Sequence, residues 1–366
     1  MRVTFVIDSM AAGGAQRVIA DLAAQWVAKG WQVAILTLNG SVRPSFYPLD
    51  ERIEQRHVNA DTTRCRPDET LRVLFRLRRA VLSGKPDAVV SFLDPANILV
   101  LLVSRLSGVP VIVSERASPV WAPLRPRLEF LKRRLYPRAS AIVFQTRDVR
   151  RYYLRRYNLR SERSCVIPNP ARPSRPLGAA PRLPRPSVAA MGRLVFQKGF
   201  DLLLDAFARI APDFPEWCLT IAGEGDDRAA LEAQCRERGL TDRVRLPGLT
   251  VDADGLLAQA DVFVLSSRYE GFPNVLVEAM AAGCAAVAFD CDYGPRDILR
   301  HGVDGILVPP GDVGALAAAL ASLMSDQELR TALGNHAMGV TERLSRERIA
   351  GQWETLLRKL AGNPEG

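Results

Sequence analysis

In this chain, short apolar runs of the length of a buried strand alternate with stretches whose apolar residues have helical spacing. Short apolar runs at 3–7 and 32–38 have the length of buried strands, and between them 15–29 carries apolar residues at helical spacing. Further apolar runs follow at 88–93, 109–114 and 141–145, with helical stretches between them. This alternation predicts a parallel sheet that is covered by helices on both faces.

A second series of the same kind follows a proline-rich stretch. Residues 169–186 contain many prolines with Arg, Ser, Gly and Ala between them, which predicts an extended linker. Beyond it, apolar runs predict strands at 187–191, 219–222, 244–246, 262–265, 285–289 and 306–308. We therefore expect two α/β domains, 1–168 and 187–344, with a cleft between them, and an amphipathic helix at 345–362.

Length and hydropathy favour a cytoplasmic protein. A chain of 366 residues can build two domains that each have a sizeable core. No apolar run reaches the ~18 residues that a membrane span requires. The N-terminus enters a strand pattern directly, without the features of a secretory signal.

Charge divides the chain into two unlike halves. Residues 1–186 contain 32 Lys+Arg and 14 Asp+Glu, a net charge of +18, whereas 187–366 contain 17 and 26, a net charge of −9. Basic residues with interleaved aromatics and leucines concentrate at 72–79, 125–138 and 147–163. This pattern predicts peripheral contact with an anionic membrane surface, at the inner face of the cell membrane. Solvated helix faces, or an Arg-rich nucleic-acid-binding protein, are the alternatives, but no RNA-binding signature accompanies the arginines, so nucleic acid is not an expected partner.

Cysteine and histidine spacing does not indicate a metal site. The six cysteines form no Cys-x-x-Cys, and none of the three histidines forms a metal-binding pair. Two Asp-x-Asp pairs occur, and we interpret the first, Asp252 with Asp254, as surface loop residues. We predict reduced thiols, no bound metal and no cofactor.

The stretch 268–283 brings two carboxylates to the start of one short helix. A buried strand is predicted at 262–265, Pro273 suits the first helical position, and Gly283 suits the residue just past the helix end. The amide groups of a helix N-terminus favour an anion such as phosphate. Glu270 and Glu278 would then place one carboxylate near a sugar hydroxyl and the other near a ribose.

A glycine turn lies between the first strand and the first helix. Gly13 and Gly14 would let the backbone approach a ligand closely, next to a helix N-terminus. Dinucleotide binding is not expected, because the Gly-x-Gly-x-x-Gly spacing is absent and the second strand ends in Thr37-Leu38-Asn39 without an acid. A turn that serves chain geometry alone remains an alternative.

Three motifs together resemble one enzyme family. Glu-x7-Glu followed by Ala-Met-Ala-Ala-Gly, the segment Gly-Arg-Leu-Val-Phe-Gln-Lys-Gly-Phe-Asp at 192–201, and Ala-Gly-Gly-Ala-Gln at 12–16 resemble the retaining glycosyltransferases of family 4, of the bacterial surface-polysaccharide type. The resemblance implies the GT-B fold, in which two Rossmann-like domains face a central cleft and the last helix returns to the first domain. It also implies transfer of a sugar from a nucleotide-diphosphate donor, with retention by same-face substitution.

The resemblance also implies roles for individual residues. Glu270 would lie against the donor sugar and Glu278 would bind the ribose, while Arg193 and Lys198 would stabilise the departing diphosphate. The implied catalytic residues are Glu270, Arg193 and Lys198. The implied donor site consists of Gly13, Gly14, Gly192, Arg193, Lys198, Glu270, Gly271, Phe272, Asn274, Val275 and Glu278.

One position departs from the family pattern. Many members have a histidine after the strand predicted at 109–114, whereas this chain has Glu115, Arg116 and Ser118 there. We predict that these three residues contact the acceptor, with Glu115 accepting a hydrogen bond from the incoming hydroxyl and Arg116 clamping a diphosphate. Salt-bridged structural residues are the alternative.

The substrates follow from the resemblance alone. Relatives with similar segments at 91–94, 114–116 and 294–297 favour a UDP-N-acetylhexosamine or UDP-hexose over GDP-mannose. The acceptor would be a hydroxyl of a lipid-linked saccharide. A sugar-nucleotide epimerase with the same fold is the alternative function.

Overall fold

The chain forms two compact units in a computed structural model that describes residues 1–39, 45–58, 67–116, 118, 124–172, 174 and 178–362, without the side chains of 67–70. The first unit combines Met1–Pro170 with Arg346–Gly366, and the second is Ala171–Ser345. Each unit is built around one parallel sheet, which confirms the predicted α/β class.

The first unit contains a seven-stranded sheet in the order β3-β2-β1-β4-β5-β6-β7. All neighbouring strands are parallel, and the central strand β1 pairs with β2 on one side and β4 on the other. The strands are β1 (Arg2–Ile7), β2 (Gln32–Thr37), β3 (Glu54–His57), β4 (Ala88–Phe92), β5 (Val111–Ser114), β6 (Ala141–Phe144) and β7 (Ser164–Val166). The helices of this part are α1 (Gly14–Ala28), α2 (Pro67–Leu82), α3 (Ala96–Val103), α4 (Pro126–Leu135) and α5 (Arg147–Tyr157).

The second unit contains a six-stranded parallel sheet in the order β10-β9-β8-β11-β12-β13. Its strands are β8 (Ser187–Met191), β9 (Cys218–Ala222), β10 (Val244–Gly248), β11 (Val262–Leu265), β12 (Ala285–Phe289) and β13 (Ile306–Val308). Its helices are α6 (Phe200–Ile210), α7 (Arg228–Glu237), α8 (Ala253–Leu257), α9 (Asn274–Ala281), α10 (Pro295–Ile298), α11 (Val313–Ser325), α12 (Gln327–Ala337) and α13 (Val340–Arg343). One core joins helix and sheet residues, with Phe207 and Trp217 among the buried side chains.

The last helix, α14 (Arg346–Leu360), belongs to the first unit. Trp353 is fully buried and stacks on Phe92 of β4, with 6.0 Å between the ring centroids. On the exposed side, the Lys29 ammonium lies 2.7 Å from the Glu354 carboxylate. The apolar stripe of α14 therefore covers the first sheet, although the whole second unit lies between this helix and the first sheet in the sequence.

Two strands lie outside the apolar pattern of the sequence. β3 consists of Glu-Gln-Arg-His and β7 of Ser-Cys-Val, and each forms one edge of the first sheet. An edge strand needs only one hydrogen-bonded neighbour, and charged residues on it discourage pairing with other chains. Hydrophobic periodicity therefore does not reveal either strand.

Part of the proline-rich stretch is attached to the second unit. The Ala179 amide donates to the Asp252 carboxylate at 3.0 Å, and the Leu183 amide donates to the Gln259 side chain at 3.2 Å. Asp252 is buried and also caps α8 by accepting from the Gly255 amide. The interpretation of Asp252 as a surface loop residue was wrong, because its buried carboxylate accepts hydrogen bonds from the backbone amides of Ala179 and Gly255 in two separate segments.

Candidate active site

In the second sheet, the order of the strands along the chain reverses between the neighbours β8 and β11. The loops that follow these two strands lie at the same carboxyl edge of the sheet. Ligands of open α/β sheets bind outside this edge, at the point where the strand order reverses. Lys198 follows β8 and Glu270 follows β11, and their side chains meet with 2.6 Å between Nζ and Oε1. The fold therefore brings together two of the three predicted catalytic residues.

The Glu270 carboxylate is buried, yet one of its oxygens is unused. Oε1 accepts from Lys198 and from the Ser267 hydroxyl, both at 2.6 Å. Oε2 has no hydrogen-bond partner among the residues that the structure describes, while Glu270 as a whole is only 5% exposed. Oε2 is not among the described side-chain atoms that are both buried and unpaired, so it stays accessible and can accept a hydrogen bond from a ligand. A sugar hydroxyl is a donor of the required kind.

A tight turn holds Lys198 in place. Gly199 adopts φ +60°, and a Cβ at this position would lie 2.2 Å from the carbonyl oxygen of Ser266. The Ser266 hydroxyl donates to the Lys198 carbonyl at 2.8 Å. Only glycine permits both this conformation and this close approach, so the turn after β8 fixes its position against the loop after β11.

An ion pair reinforces the same contact from the outer side. Arg268 makes two hydrogen bonds to Asp201 in α6, at 2.7 and 2.6 Å, and its guanidinium lies 4.0 Å from the ring centroid of Phe196. The paired geometry positions both loops more firmly than a single bond would. Arg268 thereby supports the loop that carries Glu270.

Arg193 provides a second cation near the end of β8. Its side chain is exposed, and no described residue forms an ion pair or hydrogen bond with its guanidinium. The preceding residue, Gly192, is in contact with the turn after β9, because a Cβ on Gly223 would lie 1.8 Å from the Gly192 carbonyl oxygen. Arg193 and Lys198 both follow β8, and a guanidinium together with an ammonium suits a diphosphate.

Helix α9 carries the remaining residues of the predicted donor site. Pro273 is its N-cap, one residue before the helix, because its ψ of 85° is not helical, and Gly283 lies just beyond the end with φ +83°. Asn274, Val275 and Glu278 are half-buried and share one face, since residues three and four apart are neighbours on a helix. Of the two residues before Pro273, Phe272 is buried and Gly271 is half-buried.

The predicted glycine turn lies in the first unit, at the start of α1. Gly13 is the N-cap of α1, and Gly14 is the first residue of the helix. The Gly13 amide donates to the Tyr47 hydroxyl at 3.3 Å, and that hydroxyl donates to the Gly13 carbonyl at 3.1 Å. The backbone polar groups of Gly13 are thus satisfied by a side chain of the same unit.

Glu115 belongs to a buried cluster at the carboxyl edge of the first sheet. Its Oε1 accepts from Tyr136, its Oε2 accepts from Tyr153 at 3.0 Å, and Lys132 lies 3.1 Å away. Asp94 accepts from Lys132, and its Oδ1 also lies 3.0 Å from the Tyr136 hydroxyl, whose single proton is shared between the two carboxylates. Because both Glu115 oxygens are already bonded, a contact with an acceptor hydroxyl would require this cluster to rearrange, and the role of Glu115 toward the acceptor stays a prediction.

Burial and charge shift the titration of this cluster. Burial, with the Glu115 charge as the next cause, raises the pKa of Asp94 to about 6. Burial opposes the charged form of Lys132, but the charges of Glu115 and Asp94 raise its pKa above the usual range. Burial followed by the nearby carboxylates raises the pKa of Tyr136 and Tyr153 well above 10. Two carboxylates thus share one ammonium and two neutral phenols.

Arg116 lies beside this cluster but outside it. Its Nε donates to the Ser114 hydroxyl at 2.8 Å, its Nη1 donates to Asn169, and its guanidinium lies 5.0 Å from the ring centroid of Phe92. Among the described residues, neither its buried Nη2 nor the hydroxyl of Ser118 has a hydrogen-bond partner. Burial lowers the pKa of Arg116 to about 9, so the group stays protonated at neutral pH.

Sequence reasoning missed most of the buried cluster. Asp94 follows β4, which is next to the point where the strand order of the first sheet reverses. An acid directly after a buried strand was the sequence feature that could have indicated a site residue here. Lys132, Tyr136 and Tyr153 lie on or just after helices with many exposed arginines, where nothing in the pattern singles them out.

No group of three or more His, Cys, Asp or Glu side chains with metal-binding geometry occurs among the described residues. The cysteines of this part of the chain are free thiols. Burial raises the pKa of Cys284 and of Cys291 to about 12, so both remain protonated. Within the same residues, no helix combines the length and the hydropathy that crossing a bilayer requires.

Two family descriptions match the chain in succession. The "Glycosyl transferase 4-like domain" matches residues 13–170, and "Glycosyl transferases group 1" matches residues 180–339. The chain belongs to this family, the group 1 or family 4 glycosyltransferases. The family and the enzyme class that the motifs predict are thus confirmed.

Named relatives match over the full length of the chain. An exopolysaccharide phosphotransferase of Streptomyces coelicolor is 30% identical in an alignment of 392 positions, which covers 98% of this chain but only 41% of that protein. The GalNAc-α-(1→4)-GalNAc-α-(1→3)-diNAcBac-PP-undecaprenol α-1,4-N-acetyl-D-galactosaminyltransferase of Campylobacter jejuni is 27% identical and is covered, like this chain, over 98% of its length.

A solved structure shares the fold. HepE of Anabaena, crystallised in complex with UDP, superimposes with a TM-score of 0.80 at 19% identity, covering 98% of this chain and all of that one. The predicted GT-B class, with two parallel-sheet domains, is thereby confirmed.

Proposed function

We propose that this glycosyltransferase moves a sugar, with retention, from a UDP-sugar to a hydroxyl of a lipid-linked saccharide during polysaccharide or lipopolysaccharide assembly. The observation that carries the proposal is the contact between Lys198 and Glu270 at the carboxyl edge of the second sheet. It combines a cation for a phosphate with a carboxylate oxygen that no described residue bonds and that a ligand can reach. This combination suits a donor that is charged at one end and rich in hydroxyls at the other.

The chemistry divides between these groups. The bond between the anomeric carbon and the diphosphate oxygen breaks, and Lys198 and Arg193 stabilise the charge that develops on the departing diphosphate. Glu270 accepts a hydrogen bond from a sugar hydroxyl and keeps the ring in place. The acceptor oxygen bonds to the face that the diphosphate leaves, and the acceptor proton passes to a departing diphosphate oxygen. Same-face substitution of this kind retains the anomeric configuration.

The choice of substrates is supported by relatives. HepE was crystallised with UDP, and the Campylobacter jejuni relative is named for N-acetylgalactosaminyl transfer to a saccharide on PP-undecaprenol. We take a UDP-N-acetylhexosamine or UDP-hexose as the donor and a saccharide on a lipid diphosphate as the acceptor. Two cationic side chains near the donor site supply positive charge for the diphosphate, so we propose a reaction that needs no metal.

A membrane-facing surface is supported by helix α2. Leu71 and Phe75 are each 70% exposed and lie one turn apart, and Arg72, Arg76 and Arg79 are exposed beside them. Apolar side chains among arginines allow a helix to bind the surface of an anionic bilayer. We propose that this face holds the enzyme at the membrane that carries its acceptor.

A transfer assay tests the function. The purified protein is incubated in EDTA with UDP-GlcNAc, UDP-GalNAc, UDP-glucose, UDP-galactose or GDP-mannose, with and without a short-chain prenyl-diphosphate saccharide. We expect UDP release from one UDP-sugar only when the acceptor is present, and an α-linked product by proton NMR.

Three results would contradict parts of the proposal. A β-linked product from an α-linked donor contradicts retention, and exclusive use of GDP-mannose contradicts the donor. Conversion of a UDP-sugar into its epimer without any acceptor identifies the epimerase instead.

A further inference from the structure

A pocket with a volume of about 470 Å³ opens at the carboxyl edge of the first sheet, above β1, β2 and β3. Ligand sites of small molecules have volumes of roughly 300–1,000 Å³, so this pocket could hold a monosaccharide. It lies within the first unit and shares no residue with the Lys198–Glu270 site or with the buried cluster around Glu115.

The walls of the pocket are held by hydrogen bonds. The Phe46 amide donates to the Met10 carbonyl at 2.9 Å, and Tyr47 packs edge-on against Phe46 with 5.1 Å between ring centroids. Tyr47 in turn bonds the amide and carbonyl of Gly13 through its hydroxyl. The segment that carries Phe46 is thereby attached to the loop between β1 and α1.

The floor of the pocket presents neutral polar groups. Asn39 follows β2, and Gln55 and His57 lie on β3, all three exposed. Thr37 Oγ1 lies 2.5 Å from Nδ1 of His57, the residue it faces in the strand register, which fixes the imidazole ring. Each carboxamide offers a donor and an acceptor, and Nε2 of the imidazole is left to donate or to accept according to the tautomer, so together they match the hydroxyls of a sugar.

The pocket combines this polar floor with an apolar wall. Met10, Ala12 and Ile35 line it, and the ring of Phe46 is 66% exposed. An exposed aromatic ring beside carboxamides offers a flat apolar surface to the C–H face of a pyranose and hydrogen bonds to its edge.

The described lining of the pocket favours a neutral ligand over a charged one. None of the described residues that line the pocket is Lys, Arg, Asp or Glu, although this half of the chain has a net charge of +18. A phosphate would require cations, and the ribose of a dinucleotide would require an acid where Asn39 stands. The Gly13 amide, which could meet a phosphate, is already bonded to Tyr47. Among the residues that the structure describes, the lining therefore suits a ligand that is neutral and rich in hydroxyls.

We propose that this pocket binds a neutral sugar residue of the acceptor. Asn39, Gln55 and His57 would form hydrogen bonds with the edge of the sugar ring, and Phe46 would pack against the C–H face of the ring. The proposal rests on the proposed function, in which the acceptor is a lipid-linked saccharide. It assigns recognition of an acceptor sugar to this pocket, whereas the diphosphate and lipid of the acceptor bind elsewhere.

Saturation-transfer NMR on the full chain tests the proposal. The probes are the methyl α-glycosides of glucose, galactose, mannose, GlcNAc and GalNAc, with methyl glucuronide and glucose 1-phosphate as charged probes. We expect at least one neutral glycoside to bind in preference to both charged probes. Gln55→Ala and Phe46→Leu should each weaken that binding at least about fivefold, as expected for one lost hydrogen bond or stacking contact.

Gln32→Ala is the matched control, because Gln32 is an exposed glutamine at the opposite end of β2. It should leave glycoside binding unchanged, and UDP binding should be equal in all variants. No binding of any neutral glycoside, equal binding by the Gln55 and Phe46 variants, or preference for the charged probes would overturn the proposal.

UDP titration separates this proposal from the proposed function. If UDP binds while the pocket variants have no effect on glycosides, the pocket assignment fails and the transferase function stands. If neither UDP nor any nucleotide sugar binds but glycosides bind and depend on Gln55, the function fails and the saccharide pocket stands.

Discussion

Glu270 and Lys198 form an ion pair that is largely removed from water. Taking two charges out of water is costly, and their attraction offsets the cost only with good geometry. The 2.6 Å contact and the Ser267 hydroxyl supply that geometry for one carboxylate oxygen and leave the other unpaired. At the scale of the residue, a constrained ion pair that leaves one accessible carboxylate oxygen able to accept from a ligand is the best local evidence for a binding site.

Replacing Glu270 by glutamine separates charge from shape. Glu270→Gln keeps the size of the side chain and can still accept from Ser267, but it removes the charge that pairs with Lys198. We expect kcat to fall about 100-fold, as when one polar stabilising group is lost from an active site, with little change in UDP affinity. Steady-state kinetics and calorimetry measure both quantities. Glu232→Gln is the control, because Glu232 is a half-buried acid on α7 that also pairs with a cation, Arg228. Wild-type kcat in the Glu270 variant would remove Glu270 from the mechanism.

Asp94 predicts a measurable pH dependence of stability. Its pKa is raised from 3.8 to about 6, so the folded protein binds the proton more tightly than the unfolded chain does. Stability from this group is full below pH 4 and falls as the pH rises to 6, by about 3 kcal/mol in all. The groups that face it are Glu115, Lys132, Tyr136 and, within the same cluster, Tyr153.

Asp94→Asn should remove this contribution. Relative to the wild type, the variant should gain stability between pH 4 and pH 6, measured by thermal unfolding of the full chain across that range. Asp87→Asn, which changes an exposed acid at the opposite end of the same strand, should show no such trend. A constant difference between wild type and Asp94→Asn at every pH would contradict the raised pKa.

At the scale of the element, the donor site depends on the fit between two turns. The turn after β8 and the loop after β11 touch at Gly199 and Ser266, where no side chain can be added without displacing backbone. The distance between Lys198 and Glu270 is set by this contact, since the two residues lie 72 positions apart in sequence.

Gly199→Ala should therefore impair both stability and binding. The left-handed conformation costs an alanine about 1 kcal/mol, and the contact with the Ser266 carbonyl adds to this and moves the turn. Gly239→Ala measures the cost of the left-handed conformation alone, because Gly239 has φ +67° and open space around its Cβ position. Thermal unfolding and UDP titration should show a larger loss for Gly199→Ala than for Gly239→Ala. Equal losses would mean that the turn contact does not position the site.

The sequence predicts the central elements well and the polar details poorly. Buried strands such as β1, β8 and β11 are apolar runs, and their predicted bounds agree with the structure within one residue. Edge strand β3 is polar, so periodicity cannot reveal it. The cap formed by Asp252 and the cluster around Lys132 depend on contacts between residues far apart in sequence. Such contacts leave no local pattern, although they decide which polar groups are buried.

At the scale of the whole molecule, charge is distributed unevenly between the two halves. A net charge of +18 in residues 1–186 and −9 in 187–366 suits a protein that meets an anionic surface with one part only. The exposed apolar and basic face of α2 lies in the positive half.

Vesicle binding tests this face. We expect the protein to co-sediment with anionic vesicles and not with neutral ones, and to be released by high salt, because electrostatic attraction to lipid is screened. Leu71→Ser with Phe75→Ser should weaken binding about tenfold or more, given the apolar area lost. Leu249→Ser with Val251→Ser, an equally exposed apolar pair in the second unit, is the control. Equal binding by both double variants would contradict the assignment of α2.

Calorimetric titration of UDP in EDTA tests the central claim, that the Lys198–Glu270 edge of the second sheet binds the diphosphate of the donor. We expect micromolar binding by the wild type and by Lys359→Ala, which removes an exposed lysine of α14. Lys198→Ala should bind about 10- to 100-fold more weakly, because one charge-assisted hydrogen bond is lost, and Glu278→Ala should also weaken binding if the carboxylate holds the ribose. Equal affinity of Lys198→Ala and the wild type, or no binding of UDP by any form, would contradict the account.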